Sequence, residues 1–312
     1  MKTAATTILG RPGLAEPPTD AALTAAGGKL AAFAALTKPR IAVMVLVTVA
    51  TGFVLGARGA SHPATLVFTL LGTGLVAGGA SAWNQLWERH RDSRMKRTAG
   101  RPLPAGRVTP LEAGVFGGVI AGLGLAILVL ATNLAAAGVA LATLVLYVFV
   151  YTPLKWRTTL NTAVGAVPGA LPPVIGWAAA TGQVSIEAWA LFLVVFLWQF
   201  PHFLAIAWIY RVDYRRGGHK MLPVVDPRGF ITGRQAAGYA LALVPAGLLP
   251  AVIGLAGPYY FTGALAMGLF YLAYAVRFWA DVDDTSARRL LRASFIYLPA
   301  ILVLLLLNPL PA

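Results

Sequence analysis

The chain has 312 residues, of which 58% are hydrophobic and 12% charged, with a mean hydropathy of +0.73 and a net charge of +14. A water-soluble domain carries about 25% charged residues, so this composition excludes one and describes a polytopic membrane protein. The absence of cysteine also excludes disulfides, thiolate nucleophiles, iron–sulfur ligation and cysteine-bound haem.

Residues 1–38 are rich in Ala, Thr, Pro and Gly and carry Lys2, Arg11, Glu16 and Asp20. No apolar core precedes a small-residue cleavage site there, and Arg and Ser are sparse. The segment is therefore expected to be a short cytoplasmic tail rather than a signal or transit peptide. From residue 39 to 312 a membrane domain is expected. Apolar runs of the ~20 residues that a helix needs to cross the hydrocarbon fall at 41–58, 65–86, 111–131, 134–152, 161–180, 187–210, 236–256, 258–278 and 291–309. The expected fold class is all-α, with nine transmembrane helices. Around Asn133 and Gly257 a single polar or Gly-Pro break separates two runs, which leaves a re-entrant hairpin open at each. Continuous runs of this kind exclude a transmembrane β-barrel.

Under this arrangement all of the 25 Lys and Arg except Arg58 fall in or beside the tail or the connections that follow the second, fourth, sixth and eighth spans. That bias puts the N-terminus in the cytoplasm and the C-terminus outside. The +14 charge is thus a topology signal and points to no nucleic acid. Two of the cytoplasmic loops are long, 87–110 and 211–235, whereas every external connection is brief, so chemistry is expected on the cytoplasmic face. The spacing suggests two four-helix halves and a ninth helix.

The second span ends in Asn84-Gln-Leu-Trp-Glu88-Arg-His-Arg-Asp92, followed by Ser-Arg-Met-Lys96-Arg97-Thr-Ala-Gly-Arg101-Pro-Leu-Pro. If the helix continues, Asn84, Glu88 and Asp92 stand at i, i+4 and i+8 on one face, about 6 Å apart along the axis. Three oxygen-bearing side chains in a row suit a magnesium ion that shares its shell with phosphate, and Lys96, Arg97 and Arg101 can neutralise the remaining phosphate charge.

The fifth span holds Gly165, Pro168, Gly169, Pro172, Pro173 and Gly176 and must kink or unwind. The freed backbone has to be buried in protein, as a packing kink, or line a cavity. The sixth span contains Gln199 and His202, side chains that rarely face lipid. Read alone, His202 is an axial haem ligand, a proton carrier or an interhelical hydrogen-bonding residue. On a continuous helix Asp213 stands about three turns beyond it, ~16 Å at 1.5 Å per residue, where it is either functional or a solvated loop charge. Trp156 and Tyr210 read as interfacial belt residues.

Three blocks lie in order on one expected membrane face. They are the string from Asn84 through Arg97 to Arg101-Pro-Leu, Tyr151-Thr-Pro-Leu-Lys155 with Thr158 and Asn161 following, and Trp198-Gln-Phe-Pro-His202-Phe203 continuing to Met221-Leu-Pro-Val. Together, from about residue 36 to the C-terminus, they resemble the haem O synthase (protohaem IX farnesyltransferase) family of the intramembrane aromatic prenyltransferase superfamily. The first block alone identifies the superfamily; the second and third select the haem branch.

The resemblance implies a nine-helix bundle around a central cavity, with loops 87–110 and 211–235 capping a magnesium–diphosphate site. It implies transfer of the farnesyl group of farnesyl diphosphate to a vinyl group of haem b, with addition of water, to give haem O and diphosphate for haem–copper oxidase biogenesis. Asn84, Glu88 and Asp92 match the first metal motif, with Glu88 where Asp is commoner. The second motif generally has two spaced aspartates; here Asp213 is followed by Tyr214, Arg215 and Arg216, as is usual in the haem branch. Whether Asp213 binds magnesium directly, through water, or orients Arg215 or Lys220 stays open. Lys96, Arg97, Arg101, Lys155, Arg215 and Lys220 are expected against the diphosphate. Trp198, His202 and Phe203 are expected toward haem and the prenyl chain, and Trp83 and Trp87 are either a wall for the allylic cation or core.

No protein nucleophile is needed. The implied location is a bacterial plasma membrane, and the implied partners are haem A synthase and haem–copper oxidase assembly factors. The competing readings are a prenyltransferase acting on a quinone precursor, a secondary transporter, which would place its carboxylates near the midplane, and an oxidoreductase with haem as cofactor.

Overall fold

A computed structural model describes residues 28–60 and 62–310; residues 1–27 of the expected tail lie outside the described residues. Within the described part, α1 (Lys29–Leu36) precedes α2 (Pro39–Ala57), α3 (Pro63–Asp92) and α4 (Pro110–Ala131). Helix α5 (Leu134–Val145) continues through a π turn, Leu146–Tyr151, to Leu154. One broken span follows as α6 (Asn161–Ala170) and α7 (Pro172–Thr181), then α8 (Ile186–Ile209), two short helices α9 (Arg211–Arg216) and α10 (Leu222–Val225), and finally α11 (Phe230–Val252), α12 (Pro258–Ala280) and α13 (Asp284–Leu307). Nine of these segments among the described residues are long and apolar enough to cross a membrane, and the fold is all-α.

Where the boundaries differ from the hydropathy runs, local hydrogen bonding explains the difference. Helix α3 runs on past residue 86 to Asp92, with Arg89, His90 and Arg91 in its last turn, where cations favour the negative end of the helix dipole. Helix α13 starts seven residues before its apolar run. Asp283 accepts from the Ser286 N–H at 2.6 Å and the Ser286 hydroxyl accepts from the Asp283 N–H, a capping box that hydropathy cannot register. Helix α11 likewise starts at Phe230, where the buried Asp226 accepts from both the N–H and the hydroxyl of Thr232, at 2.8 and 2.9 Å.

At both breaks where the sequence leaves a re-entrant hairpin open, the flanking helices are each long enough to cross a membrane, in keeping with the nine expected spans. Asn133 opens α5 by accepting from the Ala136 N–H, and its amide donates to the carbonyls of Ala178 and Ala179. Gly254, at φ 75°, turns the chain between two complete spans. The end of the expected tail is helical: Ala32 and Leu36 of α1 are buried against Ala82, Leu103 and Ala113, and Lys29 pairs with Glu112.

Two apolar clusters hold the bundle. One gathers Trp177, Trp208, Tyr260, Tyr271, Phe278 and Tyr297, mainly from α8 and α11–α13; the other gathers Phe53, Val76, Leu128, Leu144 and Ile175 from α2–α5 and α7. Helix α7 feeds both, and it crosses α2 so closely that only glycine fits. A Cβ on Gly176 would stand 1.9 Å from the Val49 carbonyl oxygen, and one on Gly52 2.0 Å from that of Pro173. Small residues allow such backbone contact in lipid.

The connections leaving α3, α5, α8 and α12 are tied together at one end of the bundle: Lys155 to Glu88 at 2.6 Å, Arg91 to the Gly217 carbonyl at 3.3 Å and Arg211 to Asp284 at 2.7 Å. At the opposite end Arg58 reaches Glu187 at 3.3 Å. Gly176→Ala should force α2 and α7 apart and cost about 1–3 kcal/mol of stability, read as a lowered thermal midpoint of the purified protein. Gly138→Ala, with nothing within 4 Å of the added carbon, should not lower it; equal losses at both positions would refute the contact as the cause.

Candidate active site

Asn84, Glu88 and Asp92 occupy one face of α3 and are buried, at 1%, 5% and 0% exposure. Carboxylates at such burial need partners, and the neighbouring elements supply them. After α3 the chain folds back so that the Thr98 hydroxyl donates to the Asp92 carbonyl at 2.9 Å and Arg101 reaches Asp92 Oδ2 at 2.7 Å. Lys155, at the end of the α5 span, donates to Glu88 Oε1 at 2.6 Å with its ammonium over the Tyr151 ring.

Pro153 explains how Lys155 and Thr152 come to be there. Its ring has no N–H and would collide with a carbonyl one turn back in a regular helix; the chain widens into the π turn instead. The Thr152 N–H and hydroxyl both donate to the Tyr147 carbonyl, the hydroxyl at 2.8 Å. The Thr152 oxygen is then free to accept from Asn84 Nδ2 at 3.1 Å. With that nitrogen committed, Asn84 Oδ1 faces donors, Lys38 Nζ at 3.1 Å and the Tyr147 hydroxyl at 3.4 Å.

The second loop is bonded to the same block. Lys220 N–H donates to the Lys155 carbonyl at 2.7 Å, and Asn161 Nδ2 donates to the Lys220 carbonyl at 3.0 Å. The first and second sequence blocks and the Lys220 end of the third thus meet at one place. Burial alone would lower the Lys155 pKa, but Glu88, with Tyr151 and Tyr147, outweighs it and holds the ammonium above its ordinary value.

Lys38, Thr152, Tyr147 and His219 belong to this site and were not singled out from the sequence. Lys38 stands at φ 51°, one of two non-glycine residues in the left-handed region among those described, a conformation that costs about 1–3 kcal/mol and collects at functional sites. Burial pulls its pKa down to about 7, Arg101 adding to the fall and Glu88 opposing it. His219 is 3% exposed with Nδ1 unpartnered, and burial pushes it down to about 4 against the pull of Glu88. The available signal for Lys38 was a basic residue before the first span, which topology alone would explain.

Other expected site residues are not brought onto the α3 face. Asp213 lies on α9, 3.9 Å from Arg216, and among the described residues no group of three or more His, Cys, Asp or Glu could hold a metal ion. The helix assumed to be continuous from His202 to Asp213 breaks at Tyr210, where α8 ends and α9 begins, so the ~16 Å spacing does not apply. Arg97 stacks over the rings of Tyr210 and Tyr214, at 5.1 and 5.9 Å. Lys96, Arg215 and Lys220 are exposed. Trp83 donates to the Gly114 carbonyl at 2.9 Å, which makes it part of the α3–α4 contact, and Trp87 is 47% exposed.

Deeper in α8, Gln199 donates to the carbonyls of Ala166 and Val195, both at 3.2 Å, across a gap that Gly169 keeps open: a Cβ there would meet Gln199 Oε1 at 2.1 Å. Trp198 stacks on His202 at 4.9 Å, with the rings of Phe203 and Phe295 at 5.3 and 5.4 Å. His202 Nδ1 lies 2.8 Å from the Ser294 hydroxyl of α13.

The α3 face suits a hard divalent cation. Carboxylate and amide oxygens are the ligand types that magnesium takes, and Glu88 and Asp92 each give one oxygen to a cation while Asp92 Oδ1 is buried with no partner. A buried acceptor without a donor is costly, and a metal would satisfy it.

A family model described as the UbiA prenyltransferase family matches residues 45–298, and the chain belongs to that family. Its relatives place it in the Protoheme IX farnesyltransferase branch. The protein of that name from Solibacter usitatus (strain Ellin6076) is 47% identical over 282 residues, covering 88% of this chain and 97% of the relative. The one from Salinibacter ruber (strain DSM 13855 / M31) is 44% identical over 273 residues, covering 88% and 96%. A solved structure of a UbiA homolog from Archaeoglobus fulgidus bound to GPP and Mg2+ has a TM-score of 0.63 at 16% identity, covering 88% of this chain and 99% of that one; the likeness shows the shared fold.

The Glu88–Lys155 pair yields a stability test. Removing one partner of a buried pair strands the other charge at a cost of about 3–5 kcal/mol, whereas removing both costs less. Lys155→Met should therefore lower the thermal midpoint, followed by tryptophan fluorescence, more than Lys155→Met combined with Glu88→Gln. Equal losses would mean that the pair does not hold the two elements together.

Proposed function

We propose that this chain transfers the farnesyl group of farnesyl diphosphate to a vinyl group of haem b, with addition of water, giving haem O and diphosphate. The observation that carries this reading is the convergence of Asn84, Glu88 and Asp92 with Thr152, Lys155 and the Lys220 backbone at one end of the bundle, in a chain whose close relatives bear the name Protoheme IX farnesyltransferase. Loops 87–110 and 211–235 then cap the site. The basic connections argue for a cytoplasmic active site, a cytoplasmic N-terminus and an external C-terminus in a bacterial plasma membrane. Haem O so made would pass to haem A synthase and haem–copper oxidase assembly factors.

In this reading Asn84, Glu88 and Asp92 hold magnesium, which supplies positive charge to the leaving diphosphate when bound; the Mg2+ bound to the Archaeoglobus fulgidus homolog supports the choice of ion. Lys38, Arg101 and Lys155 face the diphosphate from the same site. Lys96, Arg97, Arg215 and Lys220, on the two loops, add donors as these close, and Asp213 acts from α9 on the metal or on the loop cations.

The allylic carbon–oxygen bond breaks with its electron pair leaving on diphosphate, where this cation cluster stabilises it. The vinyl group gives its π electrons to the farnesyl carbon. Water then adds to the carbon left electron-poor beside the macrocycle and loses a proton. Trp198 and Phe203 hold the farnesyl chain and His202 the haem in the apolar part of the bundle, and aromatic faces favour the transient cation by ~0.5–2 kcal/mol each.

Membranes containing the chain, incubated with haem b, farnesyl diphosphate and magnesium, should yield a more hydrophobic haem on a chromatogram of extracted pigment. Chelation should stop the reaction and added magnesium restore it. Prenylation of a quinone precursor with haem b unchanged would assign the chain to another branch of the family.

Asn84→Ala, Glu88→Ala and Asp92→Ala should each lower turnover by at least about 100-fold while the protein still inserts in the membrane. Arg58→Ala, at the opposite end, should leave turnover intact. Full activity in all three α3 variants would remove the metal site from the mechanism.

A further inference from the structure

The hydrogen bonds around Ser294 decide which nitrogen of His202 carries its proton. Ser294 Oγ lies 2.6 Å from the Leu291 carbonyl oxygen on its own helix and 2.8 Å from His202 Nδ1. A carbonyl only accepts, so the single hydroxyl proton is committed to Leu291, and toward His202 the hydroxyl offers a lone pair. Nδ1 is therefore the protonated nitrogen. In a neutral ring that leaves Nε2 with a bare lone pair, and Nε2 has no hydrogen-bond partner among the described residues.

The arrangement is rigid. Trp198, one turn earlier on α8, stacks on the imidazole at 4.9 Å and donates its indole N–H to the Ser294 carbonyl at 3.0 Å. The Tyr271 hydroxyl in turn donates to the Trp198 carbonyl at 3.3 Å. His202 is only 8% exposed, but the rings against its edge, Phe203 and Phe295, are 38% and 58% exposed. The imidazole thus stands one side chain beneath an open apolar surface, which a hydrophobic macrocycle can approach.

An unpartnered imidazole lone pair inside a membrane span is expensive to maintain, and a neutral histidine nitrogen is a common iron ligand. Histidines that bind metals almost always donate their other N–H to a fixed acceptor, which sets tautomer and ring orientation. Ser294 provides that acceptor.

We propose that His202 ligates the iron of the haem substrate through Nε2, and that Ser294 is the positioning residue that presents this nitrogen. The inference rests on haem being the acceptor substrate. It adds how the macrocycle is held: its iron is pinned between α8 and α13, and only the periphery, where the vinyl groups lie, is left to reach the farnesyl carbon.

The test is a titration of the purified full-length protein with haem b, in both oxidation states, followed by absorption and resonance Raman spectra. The wild type should show a histidine-ligated iron. His202→Ala should lose that signature, and added imidazole should restore it. Ser294→Ala should keep the ligation but weaken haem affinity about tenfold and shift the iron–histidine stretch, whereas Ser294→Thr, which retains the hydroxyl, should behave as wild type. Binding of geranyl diphosphate with magnesium, retained in all variants, reports that each is folded.

A wild-type protein that binds haem without a histidine ligand, or a His202→Ala spectrum identical to it, overturns the proposal. If the wild type then still converts haem b, the assigned reaction stands and only the ligand is wrong. Haem ligated by His202 but never farnesylated rejects the reaction and keeps the site, and no haem binding at all rejects both. A Ser294→Ala protein indistinguishable from wild type removes the positioning role.

Discussion

Two carboxylates at the end of a membrane span must be neutralised where they stand, and the architecture at that end of the bundle follows from how this is done. Glu88 and Asp92 are almost fully buried on α3. Their cations come from elsewhere in the chain: Lys155 from the end of the α5 span and Arg101 from the loop that folds back after α3. Pairing with Lys155 draws in the π turn, whose Thr152 bonds Asn84, and the Lys155 carbonyl in turn holds the Lys220 backbone. Lys38 is a third cation beside the same two acids. Like charges a few ångströms apart repel by some kcal/mol even at the effective dielectric of a protein surface, so three cations around two carboxylates are best balanced by a further anion. Burial, with the neighbouring Arg101 charge adding to it, draws the Lys38 pKa down to about 7.

The parts legible in the sequence were those set by local periodicity. Runs of the right length marked the spans because lipid admits no other backbone arrangement than the helix here. The three-residue face at Asn84, Glu88 and Asp92 required only that α3 continue for one and a half turns beyond its apolar run, which it does. Pro172 and Pro173 break the fifth span at Leu171, and the break is used for packing, since α7 wedges between the two apolar clusters.

What could not be read depends on contacts between distant segments. Lys38 looks like any basic residue before a first span; its role follows from a left-handed turn that aims it at Asn84, 46 residues away. Thr152 stood inside a motif whose visible charge was Lys155, but its importance lies in an oxygen that the π turn leaves free to accept. Capped helix starts at Asp226 and Asp283 are invisible to hydropathy because their polar residues are satisfied by the helix they begin. Asp213 was extrapolated along a helix that ends at Ile209, and a loop position beyond a helix end carries no periodicity to reason from.

In the proposed reading, helix α8 joins the two regions that the chemistry needs apart. Ile209 is seven residues beyond His202, or about 10 Å at 1.5 Å per residue, so the imidazole lies below the charged end. Between them a dissociating allylic ester can keep its anion among cations and its carbocation among rings, where water is scarce and a cation is not quenched early. Along α8, Gln199 binds carbonyls of α6 and of its own helix and the Trp198 indole binds the Ser294 carbonyl, whereas the Trp208 indole N–H is buried without a partner. His202 is satisfied only on its Nδ1 side. In the proposed reading, the His202 lone pair and the aromatic rings around it are complementary to a flat apolar ring system with a metal at its centre.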